Sequence, residues 1–134
     1  MIPFFIQKFF FYTLWKGKMK MCGCIFCKMA SREMPTNILY EDDLCMVFED
    51  IHPQAPVHLL VIPKKHITSL NEACDDDRDV LGHLLCVAAR VAKDKKIDGS
   101  GFRTIINTNA EAGQTVFHLH IHVLGGRRLG WPPG

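Results

Sequence analysis

The stretch VFHLHIHVLGG, residues 116–126, sets His118, His120 and His122 at alternate positions with an apolar residue in each gap. Three of the chain's seven histidines thus fall within five residues. In a β-strand successive side chains point to opposite faces, so the three imidazoles share one face and Phe117, Leu119, Ile121 and Val123 share the other. The apolar face is expected to cover a core. The imidazole face is expected to meet solvent or a ligand, because burying three imidazoles against apolar atoms is costly without hydrogen-bond partners. Apart from three hydrogen-bonded core histidines, two chemistries suit such a row. Imidazoles ligate zinc, although a complete site needs further ligands close by. A neutral imidazole is also a nucleophile near neutral pH, since its unperturbed pKa is ~6.5. Phosphorus is a fitting target for that nucleophile, because phosphoryl transfer asks the protein mainly for positioning and charge stabilisation.

A second group with chemical potential is Cys24-Ile25-Phe26-Cys27. A CxxC pair can be redox-active, can hold zinc, or can be two thiols on a short helix. A thioredoxin-type pair follows a strand in a βαβ unit, and no strand pattern precedes this one. Cys45 and Cys86 sit within the apolar runs LCMVF and LLCVAA and read as buried reduced thiols, so the compartment reads as reducing. Charge is uneven. Residues 1–20 contain Lys8, Lys16, Lys18 and Lys20 and no acid, leaving 16 − 4 = 12 basic and 14 acidic residues, net −2, in the rest. That body lacks the basic stripe of a nucleic-acid binder, which excludes a nucleic-acid polymer as partner.

The elements that must position these groups follow from patterning over 134 residues, the length of one domain. MIPFFIQKFFFYTLWKGKMK stands apart. Its apolar run is interrupted by Gln7-Lys8, is short for a membrane span of ~20 residues, and lacks a secretory cleavage pattern. Residues 1–20 therefore read as an organelle-targeting leader or a gene-model start upstream of Met19 or Met21, with a membrane-touching amphipathic segment as the third reading, and the folded domain as 21–134. No stable membrane insertion is expected. CIFCKMASREMP reads as a short helix closed before Pro35. ILYED and LCMVFED form a hairpin around Asp42-Asp43, and IHPQAP is a loop. VHLLVIP is a central strand, with Lys64 and Lys65 at its solvated end. Val80, Leu81, Leu84, Leu85, Ala88, Val91 and Ala92 recur at helical spacing. Asp75–Asp77 before them and Lys93, Lys95 and Lys96 at the far end suit the helix dipole. FRTIIN and TVFHLHIHVL are the fourth and fifth strands, with the loop NTNAEAG between them. The expected class is α+β: a five-stranded, mostly antiparallel sheet with one long and one short helix.

HLHIHVL has the form His-apolar-His-apolar-His-apolar-apolar and resembles the signature of the histidine triad (HIT) superfamily of nucleotide hydrolases and transferases. The resemblance extends from Cys24 to Gly134. YEDDLCMVFEDIHPQAPVHLLVIPKKHI, GQTVFHLHIHVLGG and the ending WPPG are similar to the histidine triad nucleotide-binding branch, the purine nucleoside phosphoramidases. The resemblance implies a HIT-like fold whose sheet continues across a homodimer. It implies that His120 attacks the α-phosphorus, forming a nucleotidyl-histidine that water cleaves to a nucleoside monophosphate. His122 would contact the phosphate oxygens and the leaving-group side, with His118 and His58 completing the catalytic cluster. Gly113, Gln114 and Thr115 would form a loop around the phosphate; Thr115 stands where many relatives have serine. Asn107 would lie near the phosphate or sugar, Asp50 would receive the ribose hydroxyls, and Ile25, Phe26, Phe48 and Ile51 would form an apolar slot for a purine. Trp131 would reach the partner subunit's site, and the leaving group would be an amine such as lysine. The same resemblance makes Cys24, Cys27, His66 and His118 the ligands of a structural zinc, with no cofactor needed for catalysis. A cytoplasmic address is implied, with the nucleus also open, or an organelle should residues 1–20 act as a leader. A dinucleotide polyphosphate hydrolase, a nucleotidyl transferase and a non-catalytic nucleotide-binding adaptor are the alternative readings.

Overall fold

Cys24 begins the ordered elements by capping a helix with its own thiol: its Sγ accepts the Cys27 N–H at 3.2 Å. The computed structural model describes residues 23–134, so the extension over 1–20 lies outside the described residues. Helix α1 spans Ile25–Ala30 and buries Phe26, Cys27 and Ala30. It ends well before Pro35, where Arg32 takes a positive φ of 62°.

Strands β1 (Ile38–Glu41) and β2 (Cys45–Glu49) form the expected hairpin. Asp42 makes the turn by accepting the amides of Leu44 at 2.8 Å and Cys45 at 2.9 Å on one carboxylate oxygen. Burial alone would raise the Asp42 pKa, but hydrogen bonds from His83, Leu44, Tyr40 and Cys45 hold the carboxyl well below the usual range. Strand β3 (Val57–Pro63) is followed by two 3-10 turns, the second over Asp75–Asp77, and then by the long helix α2, Arg78–Asp94. Strands β4 (Phe102–Ile105) and β5 (Ile121–Gly125) complete one sheet in the order β1-β2-β3-β5-β4, with every neighbouring pair antiparallel.

The register divides the sheet into two unlike faces. Cys45, Val47, Leu59, Val61, Ile121 and Val123 pack with Leu84, Val87, Ala88, Val91 and Ala92 of α2 into the main core. Each such aliphatic side chain contributes ~1.5–3 kcal/mol by leaving water. On the opposite face Met46, Phe48, Leu60 and Ile62 pack under Phe26 and Ala30 of α1. Six residues of helix cannot cover five strands, so the β5–β4 end of this face stays open. Two glycines, the last residue of β5 and the one after it, let the chain leave tightly. A Cβ on Gly125 would lie 2.7 Å from Ile97 Cδ1, and Gly126 has φ +87° with Pro56 Cβ 2.9 Å away.

Four expectations need correction. The ladder of the fifth strand begins only at Ile121, so His118 and His120 precede it, His118 at a bend, in a segment whose Leu119 N–H donates to Ile67 O at 2.6 Å. Leu119 keeps its place in the core, but Phe117 is exposed. Leu85 and Cys86 of α2 are exposed, because the helix presents only one stripe to the sheet. Lys64, expected to be solvated, is instead largely covered and pairs with Glu41 at 2.8 Å, whereas Lys65 is exposed as expected while pairing with the buried Asp77 at 2.5 Å.

Candidate active site

His58 on β3 and His122 on β5 are diagonal neighbours on the open face, where His58 lies opposite Leu124 and His122 opposite Leu60. Their rings meet, with His58 Nε2 2.9 Å from His122 Nδ1. The protons can be assigned from the outer partner. The Gln54 amide donates to His58 Nδ1 at 3.0 Å, so that nitrogen accepts and the His58 proton sits on Nε2. His58 Nε2–H then donates to His122 Nδ1, which leaves the His122 proton on Nε2. Both rings are neutral in this chain. Burial, reinforced by His120 and His58 and opposed by Asp50, brings the His122 pKa down to about 4. Burial likewise lowers His58, against the pull of Asp50.

His120 is held the other way round. Its Nδ1 lies 2.8 Å from the His118 carbonyl oxygen, which can only accept, so Nδ1 carries the proton and Nε2 keeps a lone pair. The ring stands edge-on to Phe26, centroids 5.2 Å apart, and 4.9 Å from the His122 ring. A neutral imidazole with a fixed Nδ1–H and an uncommitted Nε2 is a nucleophile, and beside it His122 offers an Nε2–H donor. The row is nonetheless far from solvent-facing: His118 is fully buried and His120 is 7% exposed. The burial cost is met by hydrogen bonds at each ring.

The first histidine of the row, His118, turns away to a different cluster. His118 Nε2–H donates to Pro63 O at 2.7 Å, and its Nδ1 lies 3.3 Å from Cys24 Sγ, 3.5 Å from Cys27 Sγ and 3.1 Å from His66 Nδ1. His66 Nδ1 is 3.6 Å and 3.3 Å from the two sulfurs. A tetrahedral zinc with bonds of about 2.3 Å to sulfur and about 2.0–2.1 Å to nitrogen has S···N edges of about 3.5 Å and an N···N edge of about 3.3 Å. The four residues therefore fit a zinc ion in both donor type and spacing. Burial pushes His118 down to about 4, keeping the ring neutral and its Nδ1 lone pair available.

The remaining site residues divide. Asn107 lines an open cavity with His58 and His122. Asp50 Oδ1 accepts the His52 amide at 2.8 Å, while its Oδ2 lies 3.4 Å from His58 Nε2 and 4.0 Å from His122 Nδ1, beside the histidine pair. In the loop, Gly113 and Gln114 spend their amides on Ala110 O and Asn109 O. The buried Gln114 side chain accepts from Asn109 N and donates to Thr68 O and Val116 O. These two residues build the loop; Gly113 and Thr115 are both exposed, and of the two only Thr115 has a side chain to offer. Phe26 and Phe48 are buried against each other, centroids 5.6 Å apart, whereas Ile25 and Ile51 are exposed. The four expected slot residues thus divide into a buried aromatic pair and two exposed aliphatic side chains. Trp131 is 85% exposed and does not line the cavity. Sequence reasoning missed Gln54, because its contribution is a backbone amide that any residue but proline supplies. It also missed Arg103, Ile105, Leu129 and Pro133, which reach the cavity from β4 and the tail.

The HIT domain family model matches residues 31–129. A HIT-like protein of Synechocystis sp. (strain ATCC 27184 / PCC 6803 / Kazusa) is 57% identical over 110 residues, 82% of this chain and 96% of that relative. The crystal structure of a HIT family hydrolase from Legionella pneumophila Philadelphia 1 superposes with a TM-score of 0.82 at 46% identity, covering 84% of this chain and 100% of that one. That of a histidine triad nucleotide-binding protein from Candida albicans gives 0.70 at 34% identity, covering 82% and 83%. With the triad, the antiparallel sheet and these matches in agreement, the chain belongs to the HIT family.

Proposed function

We propose that the protein is a nucleotide-binding hydrolase that cleaves the P–N bond of purine nucleoside phosphoramidates through a covalent histidine intermediate. The observation that carries this reading is the tautomer of His120, whose Nδ1–H is fixed on the His118 carbonyl and whose Nε2 is left to attack. His120 Nε2 forms a bond to the α-phosphorus. The P–N bond breaks with its electron pair staying on nitrogen, which takes up one proton as the amine leaves. Water then attacks phosphorus and its OH is retained there. The Nε2–P electrons return to His120, and one proton is released on the His122 side, giving a nucleoside monophosphate. His122 steadies the phosphate oxygens with its Nε2–H, and Thr115 adds a hydroxyl from the loop. Asp50 receives ribose hydroxyls on the oxygen that has no donor nearer than 3.4 Å. The Candida albicans nucleotide-binding protein supports the nucleotide, the Legionella hydrolase supports the reaction class, and the WPPG ending supports the phosphoramidase branch.

Cys24, Cys27, His66 and His118 hold a structural zinc in this reading, supported by the fit of their spacing to a tetrahedron. When bound, the ion supplies a cross-link between α1, the end of β3 and the approach to β5, and no catalytic step passes through it. The edge strand β4 continues the sheet into a second copy, bringing Trp131 to the partner's site. Cys24, Cys27, Cys45, Cys74 and Cys86 form no disulfide among the described residues, which supports a reducing, cytoplasmic location. Among those residues no helix is long and apolar enough to cross a membrane.

Trapping with a slowly hydrolysed adenosine phosphoramidate, followed by peptide mass spectrometry, tests the mechanism. An adenylyl group on His120 is the expected result. An adduct on another residue, or turnover with full rate in His120→Ala, would overturn it.

A further inference from the structure

Cys24 and Cys27 flank the residue that packs on the proposed nucleophile. Phe26 stands edge-on to His120 with ring centroids 5.2 Å apart, and to His118 at 5.8 Å. Cys24 is the N-cap of α1, and its Sγ accepts the Cys27 N–H at 3.2 Å, so this sulfur is already folded over the residue three places on. The two sulfurs lie within 4.8 Å of one another. A disulfide needs about 2 Å between them, so joining them redraws the turn that carries Phe26. A second route to the nucleophile runs through His118. Its Nδ1 is 3.3 Å and 3.5 Å from the sulfurs, and its carbonyl oxygen holds the Nδ1–H of His120 at 2.8 Å. The thiols differ in access: Cys24 is half-buried, whereas Cys27 is 1% exposed. A reachable sulfur beside a covered one is the arrangement of an attacking and a resolving thiol.

Resting on the proposed role of His120, we infer that Cys24 and Cys27 are a reversible oxidation site, which a hydroperoxide converts to a disulfide that slows the nucleophile. Cys24 Sγ attacks one peroxide oxygen, and the O–O bond breaks. The other oxygen leaves with the thiol proton as water or an alcohol, and Cys24 becomes a sulfenic acid. Cys27 Sγ then attacks that sulfur, the S–O bond breaks, and the hydroxyl leaves with the Cys27 proton as water. The two sulfurs have given up two electrons to the peroxide and share one bond. Once joined, neither can serve as a thiolate ligand, so His118 loses what holds its ring while the turn beneath Phe26 shifts. Disulfides in a reducing compartment are commonly transient and redox-sensing, which this site fits.

The test treats the full chain with hydrogen peroxide after Cys22→Ser, Cys74→Ser and Cys86→Ser, so that only the pair and the buried Cys45 keep thiols. The tryptic peptide 21–28 is expected to lose the mass of two hydrogens, and any bound zinc to pass to a chelating dye as the thiols disappear. Turnover of an adenosine phosphoramidate should fall roughly tenfold, the scale of losing a group that orients a reacting imidazole, and return with dithiothreitol and zinc. Nitrogen NMR of the imidazoles should show His120 losing its fixed Nδ1–H tautomer. With Cys24→Ser added, peroxide should leave turnover at its untreated value. Oxidation that stops at sulfinic or sulfonic acid, or a disulfide made with Cys45 or with a second chain, overturns the site. So does an equal loss of turnover in the Cys24→Ser protein. A Cys24–Cys27 disulfide that changes neither turnover nor the His120 tautomer overturns the coupling and leaves the phosphoramidase reading in place. Should the reduced protein hydrolyse no phosphoramidate while oxidation still shifts the tautomer, that reading falls and the switch stands.

Discussion

His118 and His120 are two residues apart in one motif and hold opposite tautomers. His118 gives its Nε2–H to Pro63 O and turns an Nδ1 lone pair towards two thiols and His66. His120 gives its Nδ1–H to the His118 carbonyl and keeps an Nε2 lone pair next to His122. The side chain is the same, and what separates the proposed metal ligand from the proposed nucleophile is the acceptor that takes the other ring proton. The two clusters also share a part. The backbone oxygen of His118 orients the nucleophile while its imidazole belongs to the thiol cluster, so a disturbance of the one can reach the other through a single residue.

Removing the nucleophile should separate the two clusters most completely. His120→Ala is expected to lower kcat by on the order of 10⁴, with zinc content by elemental analysis unchanged. Equal loss of zinc in that variant would show that the clusters are not separable. The complementary break is Cys27→Ser, which removes a buried thiol of the proposed zinc site on α1. Zinc content should fall from about one per chain towards zero, and stability by roughly 4 kcal/mol, near 15 °C in Tm for a domain of this size. Turnover should fall by a smaller factor, because the His118 carbonyl is loosened without being removed. A Cys27→Ser protein as heat-stable as the native one would remove the structural role assigned to the cluster.

The contrast also explains what could be read from the sequence. Alternation correctly assigned Leu119, Ile121 and Val123 to the main core, since a period of two survives wherever the chain is extended. The hairpin was legible because Asp42 carries its turn chemistry locally. Alternation failed for the exposure of His118 and His120, because Phe26 of α1 packs against both rings, and a period says which residues share a face but nothing about what covers it. Phe117 is exposed because it lies before the ladder of β5, and Leu85 because it sits in the middle of α2 away from the stripe that packs on the sheet. The roles of His66, His58 and His118 came from resemblance alone. Their partners lie 39 to 94 residues away in sequence, so no local spacing could have joined them. The tautomers were not legible at all, being set by the backbone atoms of Gln54, Pro63 and His118.

The open cluster should also register in the pH dependence of stability. The His122 pKa is about 4 in the folded chain, through burial first and then His120 and His58, against ~6.5 when unfolded. Between those values the unfolded chain binds more protons, so stability falls as pH drops through the window and is level above it. The gap corresponds to about 3 kcal/mol at most, and residual exposure trims this to ~2 kcal/mol. Denaturant titrations at pH 7 and pH 4.5 should show a smaller loss in His122→Asn than in the native protein. An equal loss would mean that His122 does not carry the effect.

The smallest effect distinguishes two adjacent residues of the phosphate loop. The Gln114 side chain spends its carbonyl and its amide on Asn109, Thr68 and Val116 and is buried, whereas Thr115 is exposed. Gln114→Ala should therefore act on folding, costing ~2 kcal/mol through buried groups left unpaired. Thr115→Val should act on turnover, lowering kcat/KM by about fivefold, or ~1 kcal/mol for one hydroxyl to an anionic oxygen, with Thr115→Ser restoring it. The pair of measurements assigns the loop's chemistry to one residue and its shape to the other. If instead Thr115→Val costs stability and leaves kcat/KM at the native value, the loop is only a support for the histidines and the phosphate is held by the imidazoles alone.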